Sequence, residues 1–265
     1  MPQTVLVFAP HPDDAEFYAG GTLAKFASEG AQVVIVIATD GRCGSFCLDS
    51  DTLAKQRAEE ARRAASALGA APPVFLGYAD QELDTLPPGK LREQFIRLIR
   101  QYRPEVVVAE DAFAPYEPHP DHRAVAWAAS DAVTFASLPL VHPEHMAEGL
   151  TPHFVIEKYF YLEGTAGVNR CVDISQTLGR KLAALAEHKS QVQFLVEDVM
   201  RQAQMAGLEV QTLVGDKAGN PGALLAWAME TQAAEVGLRF NYAYGEAFRY
   251  ARFHPFIETM LSSQG

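Results

Sequence analysis

Cysteine is scarce in this 265-residue sequence, and long apolar runs are absent from it. The three cysteines, Cys43, Cys47 and Cys171, are odd in number, and we interpret them as reduced thiols. No run approaches the roughly 20 apolar residues that a membrane span needs, and the first residues show neither a basic nor an apolar signal region. We therefore expect a cytoplasmic protein without a membrane span.

Positively charged residues are also few: the sequence has 22 lysines and arginines against 33 aspartates and glutamates. The formal net charge is -11, whereas nucleic acids and anionic membranes select basic surfaces, so we expect no nucleic-acid partner. What the sequence does have is 48% hydrophobic residues, enough for a substantial core. It shows no internal repeat and no low-complexity linker, which favours one domain over residues 1–265.

Strand-like and helix-like segments alternate through about residue 135. The apolar run Val5–Phe8 precedes a helix pattern over Glu16–Glu29, and the next run, Val33–Ala38, is apolar without alternation, as in a strand covered on both faces. This order predicts βαβ units. The predicted fold class is α/β, a Rossmann-like, mostly parallel sheet flanked by helices, with a C-terminal helical and aromatic extension packed on it.

The predicted domain consists of a core and a C-terminal part. Residues 1–136 would form the Rossmann-like core, and residues 137–265 would complete the sheet and the pocket. In the second part we predict a strand over His153–Leu162, a helical stretch in two pieces over Gln176–Met205 and a further helix over Gly222–Glu235.

A tight polar turn follows the first predicted strand, where open α/β sheets bind their ligands. Two adjacent carboxylates repel each other and two prolines remove backbone donors, so the turn is costly for structure alone. A divalent cation bound by the histidine and one aspartate would compensate, leaving the second carboxylate free to act on a water. Alternatively, an aspartate caps the helix that begins near Ala15. The turn reads Pro10-His11-Pro12-Asp13-Asp14.

The same residue types recur in His119-Pro120-Asp121-His122, again after an apolar run and a short loop. Two such clusters at two strand ends can meet at one edge of a sheet. Together they would give a His/Asp/His metal set with one side open, which is the catalytic pattern. The spacing does not decide between His119 and His122 as ligand, since both lie on one helical face.

Two other classes of protein fit parts of this pattern. Two histidines and a carboxylate also describe the facial triad of non-haem iron oxygenases. A non-catalytic α/β binding protein would use the same motifs as helix caps. The extra carboxylate beside the ligand aspartate is better explained by hydrolysis.

With these motifs the sequence resembles the PIG-L or LmbE-like deacetylases, which remove acetyl groups from N-acetylglucosamine units. The specific motifs are the two clusters above with Gly20-Gly21-Thr22-Leu23 and Thr39-Asp40-Gly41. Weaker similarities extend over nearly the whole chain: Arg57-Ala58-Glu59-Glu60, Leu76-Gly77-Tyr78 with Asp80, Val172-Asp173-Ile174-Ser175, His188-Lys189-Ser190-Gln191 and Glu246-Ala247-Phe248.

The resemblance implies a role for each site residue. His11, Asp14 and His122 would bind zinc (Zn2+), with iron (Fe2+) as the alternative ion. Asp13 would be the general base, and His119 the acid or oxyanion stabiliser, with Asp121 orienting it. Arg57 would bind substrate, although a solvated or i,i+3 paired helix charge explains it as well.

The implied reaction is hydrolysis of an N-acyl group, acetyl foremost, on a small-molecule amino sugar or N-acetylglucosamine conjugate. Assembly into a homo-oligomer is left open. Two other histidine segments have simpler interpretations. We assign His142 and His145 to a surface loop over residues 138–152, because no strand end presents them. We interpret His188 as a packed or exposed helix residue.

Overall fold

The structure is a computed structural model that describes residues 3–161, 167–209, 215, 219–253 and 255–262. Its strands are β1 (Thr4–Ala9), β2 (Gln32–Thr39), β3 (Val74–Tyr78), β4 (Val106–Glu110), β5 (Glu157–Tyr161), β6 (Arg170–Asp173) and β7 (Gly245–Ala251). Its helices are α1 (Asp14–Ser28), α2 (Ser50–Leu68), α3 (Lys90–Tyr102), α4 (Pro120–Phe135), α5 (Glu144–Ala147), α6 (Leu178–Leu185), α7 (Lys189–Met205), α8 (Pro221–Leu238) and α9 (Pro255–Ser262). A short 3-10 helix spans Leu83–Thr85.

The seven strands form one sheet in the order β3-β2-β1-β4-β5-β7-β6. The first five strands in this order are parallel, and β7 is antiparallel to both β5 and β6. The predicted mostly parallel sheet is therefore confirmed. Because β2 follows on one side of β1 and β4 lies on its other side, the strand order reverses at β1 and β4, where such sheets bind ligands.

Strand β1 is buried on both faces, as its unbroken apolar sequence predicts. Val5 and Val7 pack into a core with α1, α2 and α6, whereas Leu6 and Phe8 pack into a second core with α3 and α4. Burying each such side chain contributes about 1.5–3 kcal/mol. The two cores fix the end of β1, and with it the turn that follows, between two layers of helices.

The C-terminal part adds three strands and the helices α6 to α9. Strand β5 begins at Glu157, later than predicted, because the amides before it bond to Ala136 and Glu105 outside a regular ladder. Leu162, the last residue of the predicted strand, lies outside the described residues. The predicted break between two helical pieces is found between α6 and α7, and α8 is longer than predicted.

The segment 138–152 differs from the predicted surface loop. It contains α5, and His145 in it is fully buried. Arg100 donates to His145 Nδ1 at 2.9 Å, and His145 Nε2 lies 2.9 Å from a Glu93 oxygen. Since Arg100 can only donate, Nε2 bears the ring proton and donates to Glu93. His145 is therefore a structural residue that ties this segment to α3, and both its nitrogens are occupied.

Candidate active site

The two polar turns meet at the carboxyl edge of the sheet. The first follows β1, and the second opens α4, which begins at Pro120. His119 Nδ1 accepts the Asp121 amide at 3.2 Å and so caps this helix. The rings of His11, His119 and His122 lie with centroids 4.6 to 5.1 Å apart. The structure thus brings both clusters together.

The three predicted ligands are neighbours, with Asp14 between two imidazoles. Asp14 Oδ2 lies 3.1 Å from His11 Nδ1 and accepts the His11 backbone N–H at 2.7 Å. Asp14 Oδ1 lies 3.6 Å from His122 Nε2. Burial would raise the pKa of Asp14, but His122 and His11 outweigh it and hold this pKa well below its usual value. Asp14 is therefore a permanent anion at the centre of the cluster.

Asp13 is the N-cap residue that precedes α1, and its φ of 127° is a backbone conformation that costs energy for any residue except glycine. Within the described structure its carboxylate makes no cap hydrogen bond to α1, so the helix-cap alternative is wrong for Asp13. The carboxylate lies 3.1 Å from Arg57 Nη2 instead. Burial raises the pKa of Asp13 to about 6, although Arg57 opposes the rise. The two adjacent aspartates thus differ: the pKa of Asp14 is lowered and the pKa of Asp13 is raised.

Arg57 is buried in α2, so its interpretation as a solvated or i,i+3 paired helix charge is wrong. Its Nη1 donates to the carbonyl of Gly41 at 2.9 Å and its Nη2 to that of Pro12 at 2.7 Å. A Cβ at Gly41 would lie 2.5 Å from Arg57 Nη1, and Gly41 has a φ of 64°, so this position requires glycine. Gly41 of the Thr-Asp-Gly segment therefore leaves space for Arg57, which contacts the Asp13 carboxylate.

The expected orientation of His119 by the Asp121 carboxylate is corrected. Among the described residues, Asp121 accepts the amides of Gln81 at 2.6 Å and Leu83 at 3.1 Å, and its Oδ2 lies 3.4 Å from His11 Nε2. The carboxylate therefore fixes the loop after β3 and faces His11. It is the backbone amide of Asp121 that holds His119, and this bond leaves Nε2 to carry the proton of a neutral His119 ring.

Two carboxylates without an assigned role in our sequence analysis complete the site. Asp80, just after β3, places Oδ1 3.2 Å from His11 Nε2 and accepts the amide of Cys43 at 3.0 Å. Glu110, the last residue of β4, places Oε2 2.8 Å from His122 Nδ1. Both residues lie at the carboxyl ends of parallel strands. That position, together with their charge, was the signal that could have identified them.

Negative charge exceeds positive charge around the three histidines. Burial would lower the pKa of His11, but the carboxylates of Asp121, Asp14 and Asp80 hold it well above its usual value. Burial likewise opposes protonation of His122, yet Asp14 and Glu110 raise its pKa to about 9. Donor atoms of His11, His119 and His122 all lie within 4.8 Å of one another. This set of imidazoles and carboxylates fits a divalent metal ion.

A cleft of about 660 Å³ contains this cluster. Charged and polar residues of the lining include Arg57, Asp80, His119, Lys181 and Glu246. Side chains of α7 and α8 also line the cleft. The cleft is of the size that holds a small-molecule ligand, since such pockets span roughly 300–1,000 Å³.

Glu246 ties the C-terminal strand β7 to helix α1 at the edge of the cleft. It accepts the amides of Gly21 at 2.9 Å and Thr22 at 2.7 Å, the Thr22 hydroxyl at 2.6 Å and Lys181 Nζ at 2.7 Å. A Cβ at Gly21 would lie 2.8 Å from Ile174, so the glycine also permits α1 to pack closely against Ile174. The Gly-Gly-Thr-Leu and Glu-Ala-Phe segments are therefore two sides of one contact.

The remaining candidates have structural interpretations. His188 is fully buried between α6 and α7, with Nε2 3.6 Å from a Glu16 oxygen, which agrees with a packed residue. The three cysteines are free, as expected of reduced thiols. Cys43 lies on the wall of the cleft beside Asp80.

An open parallel sheet with a His/Asp cluster and an adjacent buried carboxylate at its switch point defines the class: an α/β protein with a metal-binding, hydrolase-type site. Residues 6–133 match the profile of a family described as "PIG-L: GlcNAc-PI de-N-acetylase". A diacetylchitobiose deacetylase from Thermococcus kodakarensis is 37% identical over 189 residues, which cover 71% of this chain and 69% of that protein. The chain belongs to the PIG-L family, whose deacetylases are metal-dependent amide hydrolases acting on N-acetyl sugars.

Other comparisons agree with this family. A 1D-myo-inositol 2-acetamido-2-deoxy-alpha-D-glucopyranoside deacetylase from Rhodococcus erythropolis is 28% identical over 239 residues, covering 71% of this chain and 81% of the relative. The structure of N,N'-diacetylchitobiose deacetylase from Pyrococcus horikoshii matches with a TM-score of 0.77 and 29% identity, covering 97% of this chain and 88% of that one. The deacetylase prediction is confirmed, and neither the oxygenase nor the binding protein has support.

Proposed function

We propose that this protein is a zinc-dependent hydrolase that removes the acetyl group from an N-acetylglucosamine unit of a small conjugate. The observation that carries the proposal is the contact of His11, Asp14 and His122 directly beside a buried, weakly acidic Asp13. Relatives named for deacetylation of N-acetylglucosamine derivatives support the substrate class.

His11, Asp14 and His122 would hold the metal ion. A bound zinc ion polarises the amide carbonyl and lowers the pKa of water from about 15.7 towards about 7. Glu110 Oε2, 2.8 Å from His122 Nδ1, is placed to fix the orientation of that ring. Asp80 and Asp121 serve His11 in the same way, since both carboxylates face its Nε2.

Asp13 acts as the general base in this proposal. With a pKa of about 6 it is ionised at neutral pH, yet basic enough to take a proton from the attacking water. Arg57 Nη2 contacts Asp13 Oδ2, which leaves Oδ1 to accept that proton. The buried guanidinium thus positions the base. Substrate binding by Arg57 stays a prediction, because its Nε, which has no partner among the described residues, is itself buried.

His119 supplies a hydrogen-bond donor to the oxygen on which negative charge develops. Its Nδ1 accepts the Asp121 amide, so the proton of the neutral ring resides on Nε2. Burial and the neighbouring His11 and His122 lower the pKa of His119, which favours this neutral form. One such donor contributes roughly 2.7–4 kcal/mol to catalysis where it has been removed in other enzymes.

The wider setting follows from the same proposal. We propose that residues 1–265 act as one domain in the cytoplasm, and a homo-oligomer stays a prediction. No helix in the ranges that the structure describes is both long and apolar enough to cross a membrane.

The direct test is acetate release from N-acetylglucosamine, its methyl glycoside and diacetylchitobiose. Purified protein is assayed as isolated, after removal of metal by a chelator, and after addition of Zn2+ or Fe2+. We expect activity to disappear with the metal and to return with zinc, without oxygen consumption. A protein that contains zinc but releases no acetate from any of these compounds would overturn the proposed function.

A further inference from the structure

Two buried ionisable side chains near Asp13 have no part in the proposed reaction. Glu16 lies one turn after Asp13 at the start of α1, where its amide bonds to the Asp13 carbonyl at 2.9 Å. His188 precedes α7 and is fully buried, and its Nε2 lies 3.6 Å from Glu16 Oε2. Within the described structure neither ring nitrogen of His188 has a hydrogen-bond partner. A buried polar group without a partner calls for an explanation, and charge can supply one.

Helix α2 sets the position of His188 relative to Asp13. Glu60 of this helix accepts the Ser190 hydroxyl at 2.6 Å and the Ser190 amide at 3.1 Å, which holds the start of α7. Arg57 lies one turn before Glu60 on the same face of α2 and contacts the Asp13 carboxylate at 3.1 Å. One helix face therefore holds both the general base and the segment that carries His188.

Four buried ionisable side chains come together at this point: Asp13, Glu16, Arg57 and His188. The set holds two carboxylates and one guanidinium, so its charges balance only when the imidazole is protonated. Burial would lower the pKa of His188, but Glu16 and Asp13 hold it above its usual value. Arg57, the cation of the set, opposes this rise. With a neutral imidazole one buried carboxylate would lack a counter-charge, which is strongly unfavourable.

We infer that His188 is a positioning residue, an imidazolium that pairs with Glu16 and so leaves Arg57 to Asp13. Glu16 and Asp13 are carboxylates one turn apart, and without the imidazolium they would compete for the same guanidinium. This competition would draw Arg57 away from Asp13 and displace the base from the attacking water. The effect on catalysis rests on the proposed function, whereas the ion pair itself does not.

Kinetics of the zinc-loaded protein test the positioning role. In His188→Gln we expect unchanged zinc content and KM, and a kcat lower by roughly 10- to 100-fold, since a misplacement of about 1 Å can cost 10²-fold. In the double variant E16Q/H188Q the competing carboxylate is gone as well, so kcat should return close to the wild-type value. A merely structural role predicts the opposite, a double variant at least as impaired as the single one.

His145→Gln is the matched control. His145 is also fully buried and also lies beside a glutamate, with Nε2 2.9 Å from a Glu93 oxygen, but its contacts are with α3. This variant should lose thermal stability and keep the wild-type kcat. An equal fall in kcat in His145→Gln would trace the effect of His188→Gln to a general loss of packing and would overturn the positioning role.

Nuclear magnetic resonance of the nitrogen-15-labelled protein tests the same role without acetate release. At neutral pH His188 should give the signals of a ring protonated on both nitrogens, assigned by their loss in His188→Gln. The ring should become neutral in Glu16→Gln. The Nε–H signal of Arg57 should shift in His188→Gln and return in the double variant, because it reports which carboxylate the guanidinium contacts.

Three results would each overturn the inference: a neutral His188 in the wild type, a kcat of His188→Gln near the wild-type value, or an equal loss in the single and double variants. If the wild-type protein released no acetate while the His188 and Arg57 signals behaved as expected, the positioning of Arg57 by His188 would be supported and the proposed function alone refuted.

Discussion

The two parts of this protein build the cleft in different ways. In residues 1–136, the site groups follow buried parallel strands and are held by several contacts each, as Asp121 is by two amides and His11. In residues 137–265, the helices α7 and α8 offer partly exposed apolar side chains. The family profile matches residues 6–133, which is the first part alone. The difference teaches that the proposed reaction groups are held in place at the strand ends of the first part, while the second part completes the cleft around them.

The strongest test that residues 1–136 hold the reaction groups replaces the proposed metal ligands. His11→Ala, Asp14→Ala and His122→Ala should each lose zinc and activity together, because the three side chains hold the ion. Zinc content is measured by mass spectrometry alongside acetate release. His142→Ala is the matched control from the second part, where His142 contacts Glu144 at 2.9 Å. Full zinc occupancy in all three variants would refute the ligand set.

The next largest effect is expected at Asp13. Asp13→Asn keeps the shape of the side chain but removes the base, so zinc should remain while kcat falls roughly 10²- to 10⁴-fold. The exposed Asp84→Asn serves as control and should behave as wild type. A kcat near the wild-type value for Asp13→Asn would leave Asp13 with a structural role only.

His119→Ala should retain zinc and lose roughly 10²- to 10³-fold in kcat, since one donor to the developing charge is gone. The measurement again pairs metal content with kcat. Ligand nitrogens of His119, His11 and His122 lie within 4.8 Å of one another, so the variant also checks which histidine binds the ion. If zinc is lost, the roles of His119 and His122 are reversed.

A smaller effect should follow from Glu110→Gln, which weakens the support behind His122. Zinc affinity, measured by competition with a chelating dye, should fall roughly 10- to 100-fold, as is usual for groups that orient a metal ligand. Glu209→Gln, an exposed carboxylate of the second part, is the control. Unchanged affinity would show that the 2.8 Å contact between Glu110 and His122 does not orient the ring.

Much of the first part was predictable because its signals are local. The apolar run of β1 is continuous since both faces are covered, and the ligand turn follows it directly. Other features depend on partners distant in sequence. Asp121 turns towards the amides after β3, and His145 is buried because Arg100 and Glu93 meet it from α3. Such partners come together only in the folded chain, so the residue types alone could not indicate them.

The contact of Glu246 with Gly21 joins residues 225 positions apart and bears on how the chain matures in the cell. The ribosome must deliver β7 before the amides of α1 and the ammonium of Lys181 receive their acceptor. A product of premature termination that ends before Glu246 would leave the amides of Gly21 and Thr22 without this acceptor and the buried Lys181 without its counter-ion. Incomplete chains of this protein are therefore expected to be removed by chaperones and proteases rather than to persist as partly active enzyme.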